Sequence, residues 1–344
     1  MKIDILATHG SPLGVTSSSV YGDGNKFGVG GAELALLTMC EGWKETGYDI
    51  TLYNNPTGRE CQFPQKNLGD FNPFSKRDFL IVFRAPTKLA FGAKGKKIWW
   101  STDQFTIDDY AVYGKKMDKI VCISPYHQKY FKQKYDLPDT VSIDLPVRTQ
   151  DYDFDAVARI PFRCLFSSVP DRGLENMILL WTDIKREIPE ASLVITSDYR
   201  LWGNESPGNE RWRMRALGLP DVTFMGAMPR REFVKEQLKA DALTYPCSYE
   251  ELFCYAVAEA EYAGAMPFTT TLGALPTTNM GYLFNFSDFS FKRHRDSYVE
   301  HLKEFLYDKD KEKKRSELRE NSYNRFALPV ILEQWDNLVF EEDK

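Results

Sequence analysis

Residues 164–195 read CLFSSVPDRGLENMILLWTDIKREIPEASLVI: an apolar run, a polar turn holding an Arg-Gly pair, a helix-length amphipathic segment and a second apolar run. Repeated alternation of this kind is the mark of parallel strands joined by crossover helices. Working outward, the second half of the chain predicts strands at 162–167, 192–196, 222–224, 242–245 and 266–269, and the first half predicts them at 3–7, 49–53, 79–83, 97–100 and 119–123. The clearest helix is AELALLTMCEGWKET at 32–46, with Leu34, Leu37, Met39 and Trp43 as its apolar positions and Gly47 as its stop signal. Two such series imply an α/β protein of two doubly wound, Rossmann-like lobes. Residues 144–160, DLPVRTQDYDFDAVARI, are polar and acidic at their centre and read as the connection. The expected domains are 1–150 and 151–325, followed by a C-terminal segment, 326–344. Its apolar residues Phe326, Leu328, Ile331, Leu332, Trp335, Leu338 and Val339 suit a helix packed along one face.

Bulk properties exclude several classes. The 344 residues are 43% hydrophobic, enough for ordinary cores, and 44 basic against 49 acidic residues leave a net charge of -5. That balance offers no global attraction to nucleic acid or anionic lipid. A local exception is the run Lys94, Lys96, Lys97, Lys115, Lys116, Lys119, Lys129, Lys132 and Lys134, read mainly as solvated helix faces and otherwise as a peripheral contact with a membrane or an anionic acceptor. Six cysteines, Cys40, Cys61, Cys122, Cys164, Cys247 and Cys254, lack C-x-x-C spacing, which argues for a reducing compartment. Residues 2–7 read as a strand rather than a leader, and no stretch approaches the roughly 18 apolar residues of a span, so the expected location is cytoplasmic.

The densest chemical signal is residues 246–271, PCSYEELFCYAVAEAEYAGAMPFTTT. Glu251 and Glu259 stand eight residues apart, so on a continuous helix they would be separated by about 12 Å and look to one side. Two carboxylates at that spacing can accept hydrogen bonds from the two sugars of a nucleotide diphosphate sugar, with a helix N-terminus between them facing the phosphates. An amphipathic helix with solvated glutamates fits the spacing equally well. In the first half, GVGGAE at 28–33 places Gly30 and Gly31 ahead of the 32–46 helix, where an anion could approach backbone N–H groups, although a tight turn explains the pair just as readily. Gly22-Asp23-Gly24 lies too far from the first strand to be a dinucleotide fingerprint. Arg172 and Gly173 fall in the loop after the first strand of the second series, the edge at which open α/β sheets bind ligands. An arginine there can clamp a diphosphate or simply pair with Asp171 or Glu175.

Together, GGAE before the first long helix, the strand-loop-Arg-Gly of 164–173, the glutamate pair in ELFCYAVAEA, the following AGAMPFTTTLGAL and the terminal Trp-bearing helix resemble retaining nucleotide-sugar glycosyltransferases of family 4, which have the GT-B architecture. The resemblance implies two Rossmann-like lobes facing each other across a cleft, with the C-terminal helix crossing back to the first. It implies transfer of a hexose from a nucleoside diphosphate sugar, UDP- or GDP-linked, to an acceptor hydroxyl with retained anomeric configuration and without metal or other cofactor. In that scheme Glu251 holds the transferred sugar, Glu259 binds the ribose, Phe253 and Cys254 offer backbone N–H groups to the diphosphate, Arg172 neutralises it, and Gly30 and Gly31 admit the donor. Departures are visible. Ser167 stands where the family often has an arginine, with Arg200 read mainly as a surface residue and otherwise as a substitute cation, and Leu252 and Cys254 replace small glycines. The family's histidine in the first lobe has no direct match, leaving Asp103 and His9 as candidates. The D-x-D patterns at 151–153, 153–155 and 308–310 lie in the connection and in a charged helix and are not expected to hold metal.

The resemblance leaves the acceptor open: a glycan, a lipid-linked sugar or another hydroxyl compound, with nucleic acid disfavoured by charge, and a role in glycan or glycoconjugate synthesis. Alternatives on the same scaffold are a sugar-nucleotide epimerase, a phosphorylase, or a non-catalytic sugar-nucleotide-binding protein.

Overall fold

The computed structural model describes residues 1–8, 14–21, 27–57, 62–137, 139–154, 157–202 and 206–340. Two compact units result: Met1–Asn25, Val29–Pro146 and Phe326–Lys344 form the first, and Lys26–Gly28 with Val147–Arg325 form the second. Residues 147–150, at the end of the expected first domain, group with the second unit.

The first unit is built on a seven-stranded parallel sheet of order β3-β2-β1-β4-β5-β6-β7. Its strands are β1 (Lys2–Ala7), β2 (Asp49–Tyr53), β3 (Gln65–Lys66), β4 (Phe79–Phe83), β5 (Lys96–Trp100), β6 (Lys119–Cys122) and β7 (Thr140–Ser142). Strand β4, FLIVF, is buried at every position, as a central parallel strand covered on both faces must be. Register is fixed at the centre, where Ile5 faces Leu52 on one side and Ile81 on the other. Strands β3 and β7 were not expected; they are short edge strands without the apolar run that betrays a buried one.

Helices of this unit are α1 (Ser17–Tyr21), α2 (Gly31–Glu45), α3 (Tyr110–Gly114) and α4 (Pro125–Tyr135). Helix α2 ends as expected: Gly47, at φ 92°, follows the cap residue Thr46 and returns its N–H to the Lys44 carbonyl, a conformation that costs glycine nothing.

The second unit has a six-stranded parallel sheet of order β10-β9-β8-β11-β12-β13. It comprises β8 (Arg163–Phe166), β9 (Ser192–Ile195), β10 (Val222–Phe224), β11 (Ala242–Tyr245), β12 (Met266–Thr270) and β13 (Tyr282–Phe284), the last outside the expected set. Its helices are α5 (Leu174–Glu187), α6 (Gly208–Leu217), α7 (Arg230–Lys239), α8 (Tyr255–Tyr262), α9 (Leu275–Thr278), α10 (Lys292–Tyr307) and α11 (Lys311–Phe326). Helix α5 shows how sequence becomes packing: Leu174, Met177, Leu180, Trp181 and Ile184 recur at helical spacing and are all buried, each burial contributing about 1.5–3 kcal/mol. Trp181 also satisfies its indole by donating to the Pro220 carbonyl at 2.7 Å.

The last helix, α12 (Leu328–Trp335), belongs to the first unit. It opens at Ala327 in an extended conformation, with proline in its first turn, which ends α11 and re-aims the chain. Trp335 packs edge-on against Trp43 at 5.2 Å and Trp100 at 5.4 Å. A Cβ on Gly42 would lie only 3.0 Å from Leu332, so the small residue sets the approach of α12 to α2. Tyr48 Oη donates to Asp336 at 2.6 Å, and Lys119 Nζ donates to the Leu338 carbonyl at 2.8 Å. Cys40, Cys122, Cys164, Cys247 and Cys254 are buried free thiols, while Cys61 lies outside the described residues. Among the described residues no helix is long and apolar enough to cross a membrane.

Candidate functional site

In the second sheet, β8 continues to β9 and β10 on one side while β11 continues to β12 and β13 on the other. The order therefore reverses between β8 and β11, and open α/β sheets bind ligands outside the carboxyl ends of strands at such a point. Arg172 follows β8 and Glu251 follows β11. The chain brings them together through Gly173. At φ 124° it closes the Pro170–Arg172 turn, and a Cβ there would stand 2.6 Å from the Pro246 carbonyl oxygen. Only glycine lets this turn rest on the end of β11.

Arg172 Nη1 then donates to Glu251 Oε2 at 3.0 Å and Oε1 at 3.1 Å, and Tyr245 Oη donates to the same Oε1 at 2.6 Å. The guanidinium lies 4.6 Å from the centre of the Tyr249 ring, a cation–π distance. Glu251 is fixed from behind: its backbone bridges to Gly273, and its carbonyl accepts from Ala274 N–H at 2.7 Å. A Cβ on Gly273, at φ 61°, would meet that carbonyl oxygen at 2.2 Å, so this glycine too is dictated by close approach.

Charge follows from geometry. Burial pushes the Arg172 pKa down, but Glu251, and after it Tyr245 and Tyr249, more than reverse this and hold it above the ordinary arginine value. Burial and then the Glu251 charge push the Tyr245 hydroxyl well up, so it stays protonated and serves as a donor. The site holds a permanent cation beside an oriented carboxylate, with 29% of the Arg172 side chain still exposed.

The structure replaces the continuous helix over 251–259 with the other expectation, a helix N-terminus that falls between the two glutamates. Helix α8 begins only at Tyr255, after a cap residue, Cys254, at φ 73° and ψ 77°, so Glu251 lies outside the helix and the rise of a continuous helix does not separate the two glutamates. Left-handed backbone is unfavourable for a residue with a Cβ. Phe253 and Cys254 stand immediately before the first turn of α8, with Cys254 accepting at its carbonyl from Val257 and Ala258 N–H.

Glu259 sits inside α8 and belongs to a second cluster. Its Oε1 is 2.5 Å from Arg230 Nη1, and its side chain is 4% exposed. Arg230 Nε donates to Asp151 Oδ2 at 2.7 Å. Burial raises the Glu259 pKa, and Arg230 opposes the rise. Thus Arg172 joins Glu251, whereas Glu259 joins a partner that the sequence reading passed over. A signal existed: Arg230-Arg231 opens α7 directly after Pro229, where the helix dipole disfavours cations, so one of them needs compensation elsewhere. Asp151, considered only within a D-x-D pattern, supplies it. Arg200, the substitute cation, lies 3.7 Å from Asp198.

In the first unit, Gly30 caps α2 at φ −66°, a value open to any residue, and Gly31 begins the helix. Asp103, after β5, is bound by the Arg84 guanidinium, which also reaches Glu33 of the first α2 turn at 2.8 Å. Arg84 holds φ 68° at the end of β4, a conformation that non-glycine residues keep only where surroundings enforce it. Burial lowers its pKa, and Asp103 and Glu33 raise it beyond the ordinary value. Asp103 and Glu33, the latter in the first turn of the helix that Gly30 and Gly31 open, thus meet at an unanticipated arginine. His9 and Gly22-Asp23-Gly24 lie outside the described residues.

Residues 167–325 match the family of glycosyl transferases group 1. No curated protein matches the chain. Among solved structures, the chain is similar to HepE of Anabaena crystallised with UDP and glucose, at 14% identity and TM-score 0.69 over 99% of each chain. It is also similar to sucrose-phosphate synthase from Thermosynechococcus elongatus, at 16% identity and TM-score 0.72 over 99% of this chain and 98% of that one, and to a glycosyltransferase from Rickettsia africae, at 13% and 0.72 over 99% of each. The fold is that of GT-B glycosyltransferases, and the segment that matches the family holds Arg172, Arg230, Glu251 and Glu259.

Proposed function

We propose that the protein is a glycosyltransferase that moves a hexose from a nucleoside diphosphate sugar, UDP- or GDP-linked, to an acceptor hydroxyl with retention of anomeric configuration. The observation that carries the reading is the Arg172–Glu251–Tyr245 group at the strand-order reversal of the second sheet, inside the segment that matches the family. HepE, crystallised with UDP-glucose, supports a nucleotide-sugar donor.

In this reading the bond between the anomeric carbon and the diphosphate oxygen breaks, and one forms from that carbon to the acceptor oxygen. The acceptor's proton passes to the departing diphosphate. Arg172, permanently charged, stabilises the negative charge that develops on the leaving group, the largest kind of contribution to such catalysis. The first turn of α8 adds its N–H groups to the same task. Glu251, held by Tyr245 and by its own backbone bridge, accepts hydrogen bonds from sugar hydroxyls beside the reacting carbon, and Glu259 does so from the ribose. Cation and helix terminus supply the countercharge without any step through a metal. Gly30, Gly31 and Asp103 belong to the acceptor-bearing first unit in this scheme. Its acceptor is a glycan, lipid-linked or other hydroxyl compound, and the exposed lysines Lys94, Lys115, Lys116, Lys129, Lys132 and Lys134 provide peripheral membrane contact in a cytoplasmic enzyme of glycan synthesis, whereas Lys119, buried in β6 and bonded to the Leu338 carbonyl, takes no part.

The test is a panel of UDP-, GDP- and ADP-sugars, each assayed for thermal shift and for nucleotide release with and without candidate acceptors, followed by NMR of the product anomer. Stabilisation by one nucleotide series with turnover, lost in Glu251→Gln, is expected. No shift with any sugar nucleotide overturns the reading, shift without turnover leaves a binding protein, and an inverted product refutes retention.

A further inference from the structure

Buried charge is costly even when paired, and the second unit buries a cluster of four charged side chains, Arg148, Asp151, Arg230 and Glu259, each about nine-tenths or more hidden. Their wiring has a definite form. Residues Thr149–Tyr152 make a single 3-10 turn, and two neighbours in it reach Glu259 by separate routes. Asp151 accepts from Arg230 Nε at 2.7 Å, and Arg230 Nη1 stands 2.5 Å from Glu259 Oε1. Tyr152 Oη donates to Gln237 Oε1 at 2.7 Å, and Gln237 Nε2 donates to Glu259 Oε2 at 3.4 Å. Arg230 and Gln237 are both on α7, two turns apart, so one helix sets an ion pair against one carboxylate oxygen and a hydrogen-bond donor against the other.

Three physical points separate this from ordinary core packing. Arg230 occupies the first position of α7, where the helix dipole opposes a cation, and one carboxylate would offset that as well as two. Apolar side chains would fill the same volume at lower desolvation cost. The two routes also differ in strength: a charge-assisted pair on one oxygen and a long neutral bond on the other, so the direction of the carboxylate is set chiefly by Arg230.

We propose that Arg230, anchored by Asp151, is the positioning residue of Glu259, fixing the direction in which that carboxylate meets the ribose hydroxyls of the donor. The inference rests on Glu259 as the ribose-binding group. Arg230 itself touches no substrate in this scheme, and Asp151 acts one step further out, through the rigid fork of the guanidinium.

The readout is the ratio of affinities for the nucleoside diphosphate that the protein binds, UDP or GDP, and its 2′-deoxy analogue, measured by calorimetry alongside melting temperature. Sites built to pair a hydroxyl reject analogues that lack it, so the parent prefers the ribonucleotide by about tenfold or more. Glu259→Ala brings the ratio near one. Arg230→Lys keeps the charge but cannot grip both carboxylates, and it lowers the ratio at least threefold; Asp151→Asn does likewise, and Asp151→Glu restores it. Arg230→Met gives the fullest loss if it melts cooperatively, and if it does not, the lysine and asparagine variants decide. A purely structural role weakens both nucleotides alike and leaves the ratio at its parent value. If Glu259→Ala abolishes the preference while Arg230→Lys and Asp151→Asn, both folded, retain it, positioning is overturned and the ribose assignment stands. If Glu259→Ala retains the preference, the assignment itself fails. A parent that binds neither diphosphate overturns both.

Discussion

Glu261 gives the sharpest quantitative expectation. It lies two residues after Glu259 in α8 and is fully buried; its Oε1 accepts from Met280 N–H at 2.6 Å, and its Oε2 is buried without a hydrogen-bond partner among the described residues. Burial pushes its pKa up to about 8, against smaller opposing effects of the Met280 bond and the Arg325 charge. With an unfolded value of 4.5, the native state holds a proton that the unfolded chain has released whenever pH lies between these values. Stability from this group is therefore complete below about pH 4.5 and is lost as pH rises toward 8, by about 1.4 kcal/mol per unit and about 5 kcal/mol in all. Glu261→Gln keeps the acceptor for Met280 and cannot titrate. The assay is urea unfolding of parent and variant from pH 5 to 9. Every other titrating group cancels in the difference, which should shift in the variant's favour by 3–5 kcal/mol across the range. A difference that stays flat would show that Glu261 is ionised in the folded state and refute the reasoning.

Other expectations follow from contacts already described. Arg172→Met should lower kcat by about 10²–10³-fold, the cost of removing one preorganised donor from a developing oxyanion, with Arg172→Lys recovering part of it; single-turnover kinetics with the active donor check this, and an unchanged rate removes Arg172 from the chemistry. Gly173→Ala puts a Cβ against the Pro246 carbonyl at a backbone angle that alanine resists, so a loss of roughly 2–4 kcal/mol in chemical denaturation, together with weakened nucleotide affinity, is expected. Trp335→Ala opens a cavity beside Trp43 and Trp100 and should destabilise the first unit by about 3–5 kcal/mol, seen as a lowered unfolding midpoint with quenching changes in tryptophan fluorescence.

The parallel sheets were legible because their central strands are continuous apolar runs: FLIVF at 79–83 and ALTY at 242–245 are buried at every position. Strands β3 and β7 were not, since two or three edge residues with at most one apolar member have no such run. At the site, only the family resemblance put Arg172 and Glu251 on one ligand; the pairing of β8 with β11 that brings them together has no signature in the residues. The helix N-terminus falls between Glu251 and Glu259 as expected, but its first residue could not be read, because Leu252, Phe253 and Cys254 carry no breaking residue, and Cys254 takes a left-handed backbone that its chemistry does not advertise. Arg230 and Arg84 were missed for a shared reason: each gains its role from carboxylates distant in sequence, Asp151 and Glu259 for one, Asp103 and Glu33 for the other.

The docking of α12 on α2 has a bearing on biosynthesis. Tyr48 and Asp336 are bonded partners separated by 288 positions, and the whole of Val147–Arg325 intervenes. During translation Val147–Arg325, nearly the whole of the second unit, can collapse as one stretch as soon as it leaves the ribosome. The first must wait with Trp43 and the underside of β5 uncovered until the tryptophan at 335 emerges. At elongation rates of about 5–20 residues per second, that interval exposes a large aromatic surface for some ten seconds or more, the period in which a chaperone has most to gain by binding the nascent chain.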